Sequence, residues 1–420
     1  MRTRGTEKLG WRARAGLICA GVLLGALAGE SVARLIGFEF RPHMRNRVYF
    51  AQPDRLLGWR NRPGLAGPYG GDEFLTWVTI NPAGQRGPSH PYRRNPGKRR
   101  VAVLGDSQTW GDGVADDETF VALLDRADTE VLSFATPGWG TDQQLLALDN
   151  DAARYAPDVV VLALFIGNDL SDNLNRGTFQ YPKPYFTIDT GDRLVLHGVP
   201  VPYSSALHGL IEVYRGLMRH SALLNAIAET TRKDWSARTE AREAEPSVAL
   251  YNSLYVAEPT AEDQRRFAMT SRLLLEFVRH ARAIGAEPVV LIIPELWQVE
   301  VFNDAGRRAA LKQIGAQFRR PQRMFRELLE GEGVDVVDAL PALARATRRS
   351  RATGGTHTYY PEWRHLNAHG HAAIARLLAS RLGVRRRPVP AGSAAAADAP
   401  PHPPRPGPAD RSAARSPSRS

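Results

Sequence analysis

Cysteine is almost absent from this chain of 420 residues, which contains only Cys19. A single cysteine cannot form an intramolecular disulfide, so an exported domain of this chain must be stable without one. Lipid attachment at Cys19 is poorly supported, because the preceding Gly16-Leu17-Ile18 does not resemble a lipobox and the cysteine comes early in an apolar run. We therefore interpret Cys19 as a small apolar residue of a helix.

The long central part of the chain also lacks an excess of charge. The net charge is +11, but residues 1–14 contain five Lys or Arg against one Glu, and residues 385–420 contain seven Arg against two Asp. Only +2 is left for residues 15–384. Nucleic-acid-binding domains present a strongly basic face, so this distribution predicts no nucleic-acid partner. With 43% hydrophobic residues, the chain can instead bury a sizeable core.

The apolar run near the N-terminus, Ala15 to Gly29, is too short by itself to cross a hydrocarbon core of about 30 Å. Two interpretations of residues 1–38 follow. The A-x-A pattern at Ala26-Leu27-Ala28 favours a cleaved signal peptide. An uncleaved signal anchor requires the helix to continue to Phe38, with Glu30 and Arg34 near the outer interface. Both interpretations place the rest of the chain on the outer side of the membrane, because the positively charged flank stays in the cytoplasm.

The stretch from Val101 to Val114, VAVLGDSQTWGDGV, carries the strongest chemical signal. Four apolar residues that are typical of a buried parallel strand run into Gly105-Asp106-Ser107, which indicates a sharp strand-to-helix turn. Such a turn presents Ser107 at the carboxyl end of a sheet, where open α/β sheets bind ligands. The alternative is structural, because Asp and Ser are favoured at helix N-caps.

Three later blocks supply partners for such a serine. Gly138 follows the β-like run in SFATPGWGTDQQLL, and Gly167-Asn168-Asp169 ends the apolar run VVVLALFIGNDL. His365 lies far downstream in YYPEWRHLNAHGH. Acyl transfer requires a nucleophile, a base that takes its proton, and N–H donors aimed at the developing oxyanion. Serine, glycine, asparagine and histidine occur here in that order.

With these four blocks the chain resembles the SGNH (GDSL-like) hydrolase superfamily, and its first segment resembles the anchor of membrane-tethered bacterial members. The resemblance implies a three-layer α/β/α, flavodoxin-like parallel sheet with an N-terminal membrane helix. It implies Ser107 as nucleophile and His365 as general base. It also implies an oxyanion hole made of the Ser107 and Gly138 backbone N–H groups and the Asn168 side chain. The implied mechanism requires no cofactor.

One position departs from the superfamily pattern. Members usually carry an aspartate two or three residues before the histidine, which holds the imidazole in the correct tautomer. Here Trp363 lies two residues before His365 and Glu362 lies three before it. We predict that Glu362 is the orienting acid, because glutamate serves this role in some triads. The alternative is a solvated loop charge beside a dyad or an impaired site.

Two further histidines lie close to His365 in the sequence, His369 and His371. Spacings of four and two residues do not make a strong zinc-ligand set without a partner elsewhere in the chain. In the superfamily that the sequence resembles, the Gly-His pair at this place is structural. We therefore predict no metal site.

These patterns divide the chain into four parts. We predict a signal anchor or signal peptide at 1–38, a lead-in segment packed on the domain at 39–98, a hydrolase-like domain at 99–384, and a disordered Pro/Ala/Arg-rich tail at 385–420. The tail contains too little apolar surface to offset its ordering entropy. Residues 171–257 break the βαβ rhythm after the third block, so we predict a lid-like insertion over the carboxyl edge of the sheet.

The resemblance implies a serine esterase that works through an acyl-enzyme. A small-molecule or O-acylated carbohydrate ester is the expected substrate, because the domain would face the cell envelope from a bacterial inner membrane. Secretion after signal cleavage is the alternative location. Two other functions stay open: an O-acyltransferase that uses the same serine, and a non-catalytic glycan-binding or assembly protein with a degraded triad.

Overall fold

A computed structural model of the chain describes residues 10–36, 47–70, 73–178, 181–228, 253–256 and 258–384. The predicted disordered tail at 385–420 lies outside the described residues. So do the basic start of the first segment, residues 39–46 of the lead-in and residues 229–252 of the predicted insertion.

The strands of the described residues form one large sheet and four hairpins. They are β1 Ala51–Asp54, β2 Gly58–Asn61, β3 Ala66–Gly70, β4 Leu75–Thr79, β5 Arg99–Gly105, β6 Thr129–Ala135, β7 Val159–Phe165, β8 Gly177–Thr178, β9 Tyr181–Pro182, β10 Tyr185–Ile188, β11 Leu194–His197, β12 Glu287–Ile293 and β13 Asp335–Asp338.

The α-helices range from single turns to helices of more than twenty residues. They are α1 Trp11–Leu35, α2 Arg47–Phe50, α3 Ser107–Trp110, α4 Phe120–Leu124, α5 Thr141–Asn150, α6 Asp169–Asp172, α7 Ser205–His220, α8 Ala261–Ala283, α9 Leu296–Asn303, α10 Ala305–Gln313, α11 Arg320–Gly331, α12 Leu340–Ala352 and α13 Ala368–Leu382. Residues 222–228 are also helical.

The large sheet is parallel, with the strand order β13-β12-β7-β5-β6. Numbered along the chain, this is the flavodoxin-like order 2-1-3-4-5. Its strands are rich in Val, Leu and Ile without polar alternation, as expected for strands that are buried on both faces. Successive side chains point to opposite faces, so each strand contributes to two cores.

Helices cover both faces of this sheet. One core joins Leu104, Leu162 and Ile292 to the apolar faces of α5, α8 and α11. The other core joins Val103 and Val161 to α4, α12 and α13. The protein therefore has the predicted three-layer α/β/α architecture. The apolar spacing of residues 305–331 predicts a helix whose phase is interrupted near Pro321. The structure has two helices there, α10 and α11, separated by residues 314–319, with Pro321 in the first turn of α11, where proline is tolerated.

The lead-in packs on the layered domain through buried polar contacts as well as apolar ones. The Trp59 indole Nε1 donates to the Pro137 carbonyl at 3.1 Å, and the Trp139 indole Nε1 donates to the Trp59 carbonyl at 2.9 Å. The buried Arg86 guanidinium pairs with Asp116 at 2.7 Å and also donates to three backbone carbonyls around α3. These contacts hold the lead-in against the two turns that follow β5 and β6.

Helix α1 is long and apolar enough to cross a membrane, and none of its most apolar window is buried. Signal sequences meet the same criterion. At its C-terminal end, Glu30 and Arg34 contact the junction between α7 and the helical residues 222–228.

Candidate active site

Ser107 is the first residue of α3 and directly follows the turn at the end of β5. The turn is possible because residue 105 is glycine: a Cβ there would lie 2.1 Å from Thr109 Oγ1. The Asp106 carboxylate caps the short helix by accepting from the Gln108 backbone N–H at 2.9 Å. This local geometry fixes the Ser107 hydroxyl at the carboxyl edge of the sheet, between strands β7 and β6.

The structure brings His365 to this serine across 258 positions of sequence. His365 Nε2 lies 2.9 Å from Ser107 Oγ, and His365 Nδ1 lies 2.7 Å from the Trp363 carbonyl oxygen. Because a carbonyl only accepts hydrogen bonds, the proton of the neutral ring is on Nδ1. Nε2 therefore presents its lone pair to the Ser107 hydroxyl, which is the arrangement required for general-base catalysis.

Glu362 does not take the place that the sequence predicts for it. Its side chain is exposed, and His365 Nδ1 points to the backbone carbonyl of Trp363 instead. The physical reason lies in the backbone. Arg364 adopts a left-handed conformation at φ 55°, which turns the histidine ring back toward the carbonyl two residues earlier. The orienting acceptor is therefore a main-chain oxygen, which sequence patterns of side chains cannot reveal.

A carboxylate does lie near the imidazole, and it comes from the nucleophile block. Asp112 is buried, with Oδ2 at 3.9 Å from His365 Nε2. Its other oxygen accepts from the Trp363 indole at 3.1 Å. The indole thus fixes the carboxylate beside the ring. A negative charge at this distance stabilises the imidazolium that forms when the ring takes a proton.

Two side chains hold the histidine loop in place, and sequence reasoning missed both. Glu73 of the lead-in accepts from the backbone N–H groups of Glu362 and Trp363 at 3.1 and 2.6 Å. The Gln108 side-chain amide makes two hydrogen bonds to the loop. Its nitrogen donates to the Arg364 carbonyl at 3.3 Å, and its oxygen accepts from the Leu366 N–H at 3.0 Å. Gln108 follows Ser107 directly, and this adjacency is the one signal in the sequence that could have identified it.

Two of the predicted oxyanion donors, Gly138 and Asn168, lie in the loops after the strands that flank β5. Gly105 pairs with Ala135 of β6, and Leu104 pairs with Leu162 of β7, so the loops after these strands meet beside Ser107. Gly138 adopts a φ of 80° in the loop after β6, a conformation that favours glycine. Asn168 lies at the N-cap of α6, and its amide donates to Asp172 Oδ2 at 2.8 Å.

Lys183 links these two loops, and sequence reasoning missed it as well. Its ammonium donates to Asp142 Oδ1 at 2.8 Å and to the Asp172 carbonyl at 2.8 Å. Asp142 belongs to α5, just after Gly138, and Asp172 holds Asn168. Lys183 and Asp142 are both fully buried as an ion pair. In the sequence, Lys183 is noticeable only as a lone lysine between two prolines and two tyrosines.

Buried carboxylates lie beneath these loops. Burial raises the pKa of Asp142, and the Lys183 ammonium opposes this rise. Burial, reinforced by the neighbouring Asp106 carboxylate, also raises the pKa of Asp169 well above its usual range. Because crowded carboxylates in a low dielectric destabilise each other's charged form, the Lys183 ammonium is the contact that favours ionised Asp142.

His371 has a structural place. Its ring is fully buried, its Nδ1 accepts from the Phe120 backbone N–H at 3.1 Å, and burial lowers its pKa to about 3. This hydrogen bond fixes the start of α4 against α13. Among the residues that the structure describes, no group of three or more His, Cys, Asp or Glu is arranged to hold a metal ion.

We expect His371 to make the protein less stable in acid. Between pH 6.5 and about 3 the unfolded chain binds a proton at this residue and the native state does not, so the free energy of unfolding falls as the pH is lowered. The loss at pH 4 is about 3 kcal/mol. His371→Asn keeps an acceptor for Phe120 and does not titrate, so it should reduce the stability difference between pH 7 and pH 4.

Urea unfolding followed by tryptophan fluorescence at both pH values measures this difference. His369→Asn is the matched control, because His369 is exposed and lies two residues away. An equal pH dependence in wild type and His371→Asn would contradict the prediction.

Comparisons with known proteins were made for sequence and for structure. No protein-family model matches the sequence, and no curated protein matches it. Solved structures that are similar include a GDSL-like lipase from Bacteroides thetaiotaomicron VPI-5482, at a TM-score of 0.31 and 10% identity, covering 68% of this chain and 88% of that chain. A lipase/acylhydrolase from Enterococcus faecalis is similar at a TM-score of 0.32 and 14% identity, covering 68% and 95% of the two chains. A catalytic mutant of an acetylxylan esterase from Geobacillus stearothermophilus is similar at a TM-score of 0.33 and 16% identity, covering 69% of this chain and 99% of that chain. Similarities at these TM-scores and identities assign no activity to this chain.

Proposed function

We propose that the protein is a serine esterase that works through an acyl-enzyme at Ser107. The observation that carries this proposal is the 2.9 Å contact between Ser107 Oγ and His365 Nε2, with the ring tautomer fixed by the Trp363 carbonyl. A buried serine whose hydroxyl lies within hydrogen-bond distance of a histidine Nε2 is the arrangement of an activated nucleophile. It argues against the alternative of a non-catalytic protein with a degraded triad.

The proposed reaction has two halves. Ser107 Oγ attacks the ester carbonyl carbon while His365 Nε2 takes the hydroxyl proton, and the oxyanion is stabilised by N–H groups of Ser107 and Gly138 and the Asn168 amide. The C–O bond to the alcohol then breaks, and His365 returns its proton to the leaving oxygen. Water then attacks the acyl-enzyme carbonyl while His365 Nε2 takes its proton. The ester bond to Ser107 breaks, His365 returns the proton to Ser107 Oγ, and the acid is released. Asp112 stabilises the imidazolium in both halves.

We also propose that α1 is kept as a membrane anchor, with the domain on the outer side of a bacterial inner membrane. Its C-terminal end is part of the folded structure, because Glu30 accepts hydrogen bonds from Ser221, Ala222 and Leu223. Cleavage after Ala28 would remove the helix that positions Glu30. An O-acylated envelope carbohydrate is the substrate class that fits this location.

Labelling with a fluorophosphonate probe tests the proposed nucleophile. We expect the full-length protein in detergent to bind one equivalent of probe, with the adduct on Ser107 and complete loss of labelling in Ser107→Ala. Ser171→Ala is the matched control, because Ser171 lies on α6 beside the same site and should leave labelling unchanged.

The same samples are then given p-nitrophenyl acetate with and without a sugar acceptor. Release of acetate in water supports the esterase. Absence of labelling in folded protein would contradict the proposal, and acyl transfer only in the presence of a sugar would replace it with an O-acyltransferase.

A further inference from the structure

Helix α7 presents an apolar face that is exposed among the residues that the structure describes. Leu210, Val213, Tyr214 and Leu217 repeat at three- and four-residue intervals, so they lie on one side of the helix. Each of them is 54–67% exposed. Isolated exposed apolar residues are common on protein surfaces, but a continuous stripe of four large ones on one helix indicates a contact surface.

The opposite contacts of α7 fasten it to the domain. Glu212 pairs with Arg62 of the lead-in at 2.9 Å. Because residue 212 lies about 100° around the helix from residue 213, this ion pair holds α7 to the domain on a side away from Val213. The apolar stripe is therefore not free to turn inward without loss of the Arg62 contact.

The end of α7 is fastened to α1. Arg34 donates to the His220 carbonyl at 2.8 Å, which satisfies an acceptor at the C-terminus of α7. Glu30 accepts from the backbone N–H groups of Ala222 and Leu223, both at 3.0 Å, at the start of the next helical segment. Glu30 and Arg34 also pair with each other at 2.7 Å. These charged groups lie where α1 would leave the hydrocarbon.

We propose that α7 is an in-plane membrane helix, whose apolar stripe is inserted into the outer surface of the bilayer that α1 crosses. This inference rests on the membrane anchor proposed above. If α1 spans the bilayer, the contacts of Glu30 and Arg34 bring the C-terminal end of α7 to the level of the lipid headgroups. At that level an exposed apolar stripe is covered by acyl chains rather than by water.

The occupant is lipid because the C-terminal end of α7 meets the exposed apolar helix α1 at Glu30 and Arg34. The side chains of Leu23, Leu27 and Val32 on α1 are 56–62% exposed, so the two helices together present uncovered apolar surface on both sides of the Glu30–Arg34 junction. A soluble protein partner would need to cover a surface whose neighbour is itself embedded in lipid. The consequence is that α7 fixes the orientation of the domain on the membrane.

Spin labels in the full-length protein test the depth of α7. Cys19→Ser removes the only cysteine, and single cysteines are then placed by Val213→Cys, Leu217→Cys, Leu75→Cys and Leu23→Cys in separate variants. All four positions are exposed, so the labels should not disturb the fold. Leu75 of β4 is the matched control, an exposed leucine away from α7, and Leu23 reports on the anchor. Accessibility to oxygen and to a water-soluble nickel chelate is measured in phospholipid vesicles.

We expect the labels at 213 and 217 to lie about 5–10 Å below the headgroups. The label at 75 should be in water and the label at 23 deep in the hydrocarbon. A label at 23 in lipid with labels at 213 and 217 in water would overturn the proposal and leave the anchor intact. A label at 23 in water would overturn both. If the label at 213 is shielded from both reagents and its spectrum shows spin–spin broadening, the apolar stripe is covered by α7 of a second copy of this chain. That result would overturn the proposal that lipid covers it. Fluorophosphonate labelling of the same samples reports separately on Ser107.

Discussion

His365→Ala is expected to lower kcat/KM for ester hydrolysis by about 10⁴-fold or more, because the hydroxyl of Ser107 then loses the imidazole that takes its proton. Glu362→Gln is expected to change it by less than about five-fold, since neutralising an exposed carboxylate alters the site by no more than about 1 kcal/mol. The two variants distinguish the arrangement seen in the structure, in which a carbonyl orients His365, from the sequence pattern, which predicts Glu362 as the orienting acid. Initial rates with p-nitrophenyl acetate measure both.

Asp112→Asn is the matched comparison for Glu362→Gln, because both replace one carboxylate by an amide near the same ring. Asp112 is buried at 3.9 Å from Nε2, and its amide replacement can still accept from the Trp363 indole. We expect a loss of about 10-fold, which corresponds to about 1.4 kcal/mol of lost imidazolium stabilisation. A large loss in Glu362→Gln with none in Asp112→Asn would show that the loop rearranges and that the sequence prediction is correct.

Lys183→Met is expected to lower both stability and kcat. Removal of the ammonium leaves Asp142 buried without its partner, which costs about 3–5 kcal/mol of unfolding free energy. It also removes the link between the loops that carry Gly138 and Asn168, so kcat should fall by about 10²-fold, as for loss of an oxyanion donor. Lys312→Met on an exposed face of α10 is the control and should change neither quantity.

A double variant separates the two effects of Lys183. Asp142→Asn combined with Lys183→Met removes the unpaired charge and should recover most of the lost unfolding free energy. It does not restore the contact to the Asp172 carbonyl, so kcat should stay low while KM for a small ester stays near the wild-type value. Recovery of kcat together with stability would mean that Lys183 acts only on the fold. Urea unfolding and steady-state kinetics on the same preparations provide the two readouts.

Much of the layered fold could be predicted from local patterns. The apolar runs before Ser107, Gly138 and Asn168 are strands of one parallel sheet. The apolar spacing of the last part of the domain also predicts a closing helix at 368–382, and α13 has those bounds. These predictions are confirmed because strands buried on both faces leave a continuous apolar signal that little else produces. The apolar spacing of residues 117–127 also predicts a helix, and α4 is shorter than this, because the Thr119 hydroxyl accepts from the Ala122 N–H and begins α4 two residues after a separate acidic turn.

The candidate site was predictable only in part. The sequence indicated Ser107 and His365, which the structure brings into contact. It gave only a weak signal for Lys183, a lone lysine between prolines and tyrosines, and none for Glu73, because both residues act on distant loops from segments without regular periodicity. It gave Glu362 a role that the structure gives to a carbonyl, because a pattern of side chains contains no information about where the main chain turns its oxygens.

The sequence by itself therefore determined the α/β layers, the serine at a strand end, the histidine far downstream and the apolar helix at the start. Each of these depends on residues that are neighbours in the chain, where periodicity and turn chemistry act directly. Only the tertiary structure decided which group orients His365, which carboxylate lies beside it, and how Lys183 ties the two loops together. Those contacts join residues separated by many elements, and their geometry is fixed by packing and by the burial of charge, which no local pattern encodes.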